Sequence, residues 1–292
     1  MQEDYERRQR VLEVKDLSLD LGGKLILEGV NAEVKKLYRS GEPYGQVVGI
    51  IGPSGVGKTR LIRCIAGSMA AFQQPTSGSV HFYEVIGEYS RPIPYDKVAV
   101  GYVPQDYALE PTLHDLEGNI QTLEGLIRLG KRQGTSREDA EKKAFELLEQ
   151  VGLKEHTYAR AHQLSGGQKQ RLAIAQRLVY TDRFLVMDEP FSNLDILMIE
   201  DIRNLMRNLV KSHPFMTILI STHDVQTISQ LADTLWLLGR NRDETSGNPI
   251  GGAFIKYEYD MAKEGLAWKE NIEDTSEFRS ILKEIKARFR EL

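Results

Sequence analysis

The chain has 292 residues, 41% of them apolar and 27% charged, which suits one large or two modest domains around a real core. A formal net charge of −4 supplies no global basic field and argues against nucleic acid as a partner. One cysteine, Cys64, excludes an internal disulfide and suits a reducing compartment.

The first ten residues, MQEDYERRQR, are charged and lack the apolar centre of a signal peptide, and no apolar run approaches the length of a membrane span. The expectation is a chain soluble by itself. Leu12, Val14, Leu17, Leu19 and Leu21 nearly alternate with polar residues and predict a half-buried strand. Gly22-Gly23 then predicts a hairpin turn into a second strand, Leu25 to Val34, and Lys35 to Gly45 reads as a polar surface loop. Gln46 to Ile51 (QVVGII) reads as a buried parallel strand, and the residues from Lys58 to Ala70 place Leu61, Ile62, Ile65 and Ala66 on one helical face.

Between that strand and helix lies GPSGVGKT, Gly52 to Thr59, which fits G-x-x-x-x-G-K-[ST] at every fixed position. Gly52, Gly55 and Gly57 leave room for backbone N–H groups to curl around phosphate oxygens, with Pro53, Ser54 and Val56 completing the loop. The positive end of the following helix points at the same phosphates. Lys58 is placed to reach the β- and γ-phosphates, the Thr59 hydroxyl to ligate Mg²⁺, and Arg60 to lie beside them. A glycine-rich turn without a ligand is the competing reading, and the strand and helix around the motif argue against it. The implied ligand is a nucleoside triphosphate.

Short strands are expected at Val80 to Tyr83 and Val98 to Val103, the second ending in Pro104-Gln105. Helical patterns follow around Leu123 to Leu129 and over Ser136 to Val151, where Ser136 and Asp139 can form a capping box. Residues of about 106–164 therefore read as an inserted helical subdomain. Helices over Gly166 to Tyr180, Ile196 to Val210 and Val225 to Ala232 then alternate with strands at Phe184 to Met187, Met216 to Ile220 and Thr234 to Leu238, which predicts a largely parallel sheet covered on both faces. Beyond Gly239 the sequence suggests an added strand at Ala253 to Tyr259 and a final helix capped by Asp274 and Glu277. Its stripe of Phe278, Ile281, Leu282, Ile285 and Phe289 suits packing on the main domain, with a partner helix as the alternative.

LSGGQKQR, Leu164 to Arg171, opens a helix with Ser165 and Gln168 as a capping box, and two glycines at its start bare N–H groups to an anion. Together with FLVMDEP from Phe184, these motifs resemble the nucleotide-binding subunit of an ABC transporter over roughly residues 11–240. In family order they are the phosphate loop, Gln105, the LSGGQ signature, Asp188-Glu189, the loop SNLD from Ser192 to Asp195, and His223 in STHD.

The resemblance implies an α/β fold: a P-loop NTPase core with a mostly parallel sheet flanked by helices, an N-terminal antiparallel β subdomain and the inserted α-helical subdomain. Residues 1–240 would form the ATP-binding domain and 241–292 a packed extension. It implies ATP hydrolysis with Asp188, Thr59 and Gln105 at Mg²⁺, Glu189 as general base, and His223, Gln105 and Lys58 assisting. Ser165, Gly166, Gly167, Gln168 and Asp195 would serve the ATP of a second subunit, identical or not. Leu21 stands where the family usually stacks an aromatic residue on adenine, and Arg60 where it usually has a small or hydroxylated one.

The implied partner is an integral membrane permease, with the chain peripheral on the cytoplasmic face of the membrane. Tyr107, Leu109 and Leu113 are candidates to receive its coupling helix. MDEPFSNLD is similar to the form common in importers, which suggests import and a solute-binding protein acting through the permease. The late strand and closing helix resemble nitrate, sulfonate and taurine systems. An exporter or lipid-trafficking ATPase is the alternative, and a soluble non-transport ABC ATPase a remoter one.

Overall fold

The computed structural model describes residues 5–69, 74–106, 120–192, 194–243, 245–268 and 272–292. Two long strands open the chain, β1 (Tyr5–Leu21) and β2 (Lys24–Arg39), paired antiparallel across Gly22-Gly23, both at positive φ as that tight turn requires. The short β3 (Glu42–Tyr44) folds back on β2, and β5 (Ser77–Ile86) and β6 (Tyr89–Ile93) extend the antiparallel layer from β1.

A second layer is parallel: β7 (Val100–Val103), β8 (Phe184–Asp188), β9 (Thr217–Thr222), β4 (Gln46–Ile51) and β10 (Thr234–Arg242) lie side by side in that order. The last strand, β11 (Pro249–Asp260), runs antiparallel to β10 and meets β2 through Ala253 and Leu27, which joins the two layers into one sheet.

Alternation along the buried strands divides the core. Val48 and Ile50 of β4 face Leu61, Ile62 and Ile65 of α1 (Lys58–Ala66) and the antiparallel strands. Val47 and Ile51 belong to the opposite face, with the apolar sides of α2 (Thr122–Arg132), α3 (Arg137–Gln150), α4 (Gly166–Leu178), α5 (Ile196–Ser212) and α7 (Ser276–Arg290). The short α6 (Val225–Ser229) adds Val225 and Ile228 to that face. The fold is the α/β architecture expected, with an antiparallel β layer and helices on both faces of a mainly parallel sheet.

Several boundaries differ from the sequence reading. Lys35 to Arg39 are not loop: β2 continues through them, because Leu37 and Lys36 are buried there. The Lys36 ammonium donates to the carbonyls of Tyr44 (2.7 Å) and Pro214, so an apparently solvated lysine is an internal cross-link. Burial pushes its pKa down to about 8. α1 ends at Ala66, where Gly67 takes the left-handed C-cap (φ 67°), and α6 ends at Ser229. The final helix is capped by Thr275, whose side chain accepts from Phe278 N, and Asp274 lies in the preceding turn. Phe278 and Ile285 of that helix are buried in the helix-side core, as packing on the main domain requires. Cys64 is buried, and desolvation lifts its thiol to about 11, consistent with a packing role.

At the N-terminal ends of β4 and β10 a polar cluster ties the first strand to the end of β11. Arg7 makes two bonds to Asp260 (2.8 and 3.0 Å) and reaches Gln46, Thr234 and the Asp233 carbonyl. The fully buried Asp233 carboxylate accepts from Val47 N and Trp268 Nε1, both at 2.7 Å, and burial pushes its pKa up to about 7. Folded protein therefore holds a proton between about pH 4 and 7 that the unfolded chain has released, so this stability is present at low pH and lost as pH rises through 7. We expect melting temperature to fall by about 2–4 °C more between pH 6 and 8 in the native chain than in Asp233→Asn, the equivalent of about 1.4 kcal/mol. Equal slopes in parallel thermal melts would refute the assignment.

Candidate functional site

The parallel strands deliver their carboxyl ends to one edge, the position at which open α/β sheets bind ligands. β4 runs into Gly52, β8 ends in Asp188 with Glu189 next, and β9 ends in Thr222 with His223 next. Residues 52–59 and these carboxyl-end groups enclose a cleft of about 510 Å³. Its lining includes Ser54, Gly55, Gly57, Lys58 and Thr59 from the loop and the start of α1, and Gln105, Glu189 and His223 opposite.

The loop backbone is what the glycines were expected to allow. Gly55 and Gly57 have φ of 77° and 126°, a region that disfavours any side chain. A Cβ on Gly52 would lie 2.5 Å from the Leu238 carbonyl oxygen. Pro53 O accepts from Val56 N, and Val56 is buried in the α1-side core, which anchors the loop from beneath.

Lys58 is almost wholly buried. Its ammonium donates to Gly52 O (2.9 Å) and Pro53 O (3.3 Å) and stands 3.3 Å from Glu189 Oε1. The other oxygen, Glu189 Oε2, accepts from His223 N (3.2 Å) and lies 2.9 Å from His223 Nδ1. A carboxylate only accepts, so the His223 proton sits on Nδ1 and leaves Nε2 as the ring's other functional nitrogen. Glu189 has φ 47°, left-handed backbone at a non-glycine residue, with a cost of order 1 kcal/mol. Glu189 N donates to Ser221 O (2.9 Å) and Ser192 Oγ to Glu189 O (2.7 Å), and these bonds hold the strained turn that aims the carboxylate at Lys58.

Asp188 is buried, and its Oδ1 accepts from Ser221 Oγ (2.5 Å) and Thr59 Oγ1 (3.1 Å). A hydroxyl and a carboxylate oxygen thus meet beside the phosphate loop, the hard oxygen set that suits Mg²⁺ shared with a phosphate. Among the described residues no cluster of three or more His, Cys, Asp or Glu could hold a metal by itself.

Three residues the sequence reading passed over belong here. Ile26 and Arg63 line the cleft, and Ser221 orients Asp188. Arg63 Nε donates to the Tyr102 hydroxyl (2.9 Å) across from α1. Arg60 lines the cleft as well, whereas Leu21 packs half-buried on the α1-side core and is not among the lining residues. Ile26 stands opposite Gly57, its Cγ2 3.4 Å from where a Cβ on that glycine would lie, a register that no local sequence pattern signals.

The signature segment is elsewhere. Ser165 caps α4, its Oγ accepting from Gln168 N (3.3 Å) while Gln168 Oε1 accepts from Ser165 N (2.9 Å). Gly166 is exposed, and Gly167 packs against Met198 of α5, whose N-cap is Asp195. None of these residues lines the phosphate-loop cleft. Tyr107, Leu109 and Leu113 lie outside the described residues, as does Asn193 of SNLD.

Comparison with known proteins bears on the same segments. The ABC transporter family model matches residues 42–192. The spermidine/putrescine import ATP-binding protein PotA of Mesoplasma florum is 30% identical over 240 residues, 82% of this chain and 62% of that protein. PotA of Bacteroides fragilis is 33% identical over 248 residues, 85% of this chain and 49% of its own length. The chain therefore spans about half to three-fifths of those relatives. The L-cystine transport system ATP-binding protein TcyN of Escherichia coli is 34% identical over 240 residues, 79% of this chain and 87% of that protein. Two solved folds are similar: cbiO1 from Clostridium perfringens (TM-score 0.67, 24% identity, 88% of this chain and 90% of that one) and MJ1267 in its ADP conformation (TM-score 0.64, 23% identity, 95% and 96%). The matched family segment begins before the phosphate loop and ends just past Glu189, so it carries the loop, Gln105 and Glu189, while Ile26 and His223 lie outside it: this chain belongs to the ABC transporter family.

Proposed function

We propose that this chain is an ATP-hydrolysing subunit that closes with a second cassette around two ATP molecules and drives solute import through a separate membrane permease. The observation that carries this is the Lys58–Glu189–His223 arrangement over a backbone-lined loop. A triphosphate entering the cleft would draw the Lys58 ammonium from Glu189 to its phosphate oxygens. Glu189, freed of that cation and oriented by His223, would then accept a proton from the attacking water. Asp188 and Thr59 would hold Mg²⁺, with Gln105 near it, and the ion would supply charge neutralisation at the phosphates. Ile26, which lines the cleft, would offer the base an apolar contact.

The reading of a second cassette is supported by the position of Ser165, Gly166, Gly167 and Gln168 outside their own cleft. The N-terminal end of α4 is an anion-binding end that suits the ATP of a partner subunit, with Asp195 beside the seam. Residues 1–240 would form this ATP-binding unit, about 106–164 its helical insertion, and 241–292 its extension. Import is supported by relatives named as import ATP-binding proteins, of which the solute remains their own. No helix among the described residues is long and apolar enough to cross a membrane.

The test is co-purification. The tagged chain is drawn from native membranes in mild detergent and its companions identified by mass spectrometry. A polytopic membrane subunit is the expected result, and a solute-binding protein beside it marks import. Recovery of soluble companions alone from intact membranes would overturn the transport reading.

A further inference from the structure

Outside the cleft, one hydrogen-bonded chain runs from the helical insertion into the signature segment. His156 sits in the turn after α3, its carbonyl held by Thr122 Oγ1 (2.7 Å) at the start of α2. Its ring nitrogen Nε2 lies 3.0 Å from Gln168 Nε2. The direction of this bond follows from the rest of the chain. Gln168 Oε1 already accepts from Ser165 N at 2.9 Å, so its amide nitrogen faces the imidazole and donates. His156 Nε2 must then be an acceptor, which requires the neutral ring with its proton on Nδ1. That Nδ1 is buried with no hydrogen-bond partner among the described residues, so no carboxylate there balances a charged ring.

We propose that neutral His156 is the positioning residue for the signature turn: it fixes the Gln168 amide, which in turn holds Ser165 N–H in the capping box. The inference rests on the reading of Ser165 and Gln168 as the groups that meet a partner subunit's ATP. Without the imidazole acceptor the Gln168 amide is free to leave Ser165, so the capping box depends on this one ring nitrogen.

The test has a local arm and a functional arm. In the ¹⁵N-labelled full-length chain, protection of the Ser165 amide against exchange is followed by NMR. His156→Ala should lose protection about threefold to tenfold relative to native protein, the equivalent of one ordinary hydrogen bond. His156→Gln, whose carbonyl supplies a neutral acceptor, should stay protected. In a Glu189→Gln background, ATP-driven dimerisation measured by sedimentation should follow the same order. Ser165 protection equal in His156→Ala and native protein would overturn the inference, as would lost protection with unchanged dimerisation. Should the Glu189→Gln chain not dimerise with ATP at all, the two-cassette reading falls, and Ser165 protection still decides whether His156 positions the turn.

Discussion

Glu189→Gln should lower kcat for ATP hydrolysis by about 10²–10⁴-fold while ATP still binds, because the substitution removes the proton acceptor and keeps the shape. The geometry makes the separation sharp. Glu189 touches no loop amide; its oxygens face Lys58 and His223. The amide that replaces it retains an oxygen to accept from His223 and removes the carboxylate that competes with phosphate for Lys58. ATP affinity should therefore hold or rise. Steady-state phosphate release and equilibrium binding of ATP, measured on one preparation, check this directly. A loss of affinity matching the loss of rate would mean that Glu189 supports the loop and is not the base.

Lys58→Ala should do the converse, weakening ATP and ADP by about two orders of magnitude and leaving AMP nearly untouched, since the ammonium reaches only the outer phosphates. It should also destabilise the apo fold. Lys58 and Glu189 are both nearly buried, and removing the cation strands a carboxylate whose other oxygen alone is bonded. Breaking a buried pair from one side costs about 3 kcal/mol, toward the low end of such values because the cleft is open to solvent. The double variant Lys58→Ala/Glu189→Gln should then recover much of the lost melting temperature without recovering ATP binding. Nucleotide titrations by calorimetry together with thermal melts of the four variants close the cycle. Additive melting temperatures would refute the coupling.

The parts of the site that were legible in the sequence are those where the backbone itself is the requirement. Gly55 and Gly57 stand at positive φ, and an apolar strand ending in Asp188-Glu189 has few uses other than to present those acids at a sheet edge. What escaped depends on distant partners. Lys36 looked solvated because nothing local indicates that the Pro214 carbonyl will meet its ammonium. Arg7 read as part of a charged leader, yet it opens β1 and closes on Asp260 at the other end of the chain. The strand β6 was missed because an edge strand with Pro92 and two-sided exposure lacks an alternating pattern. Ile26, not Leu21, lines the cleft because the hairpin places the second strand against Gly57, a register that local pattern does not reveal. His156 belongs to no motif, and only the folded turn brings it to Gln168.

The seat of β11 between β2 and β10 has a consequence for how the molecule comes into being. Among the described residues the antiparallel layer and the nucleotide-binding layer are contiguous through β11 alone, a strand made long after β2. A long stretch of chain separates Leu27 from its partner Ala253, so the closure is expensive in loop entropy and late relative to β2 in translation. At ordinary ribosomal speed, roughly ten to fifty seconds pass between the emergence of β2 and that of β11. During that interval two half-sheets carry unpaired edges at β2 and β10, the kind of surface that chaperones cover and that neighbouring nascent chains can invade. β11 is thus the keystone of assembly, and the growing polypeptide stays vulnerable until it is set.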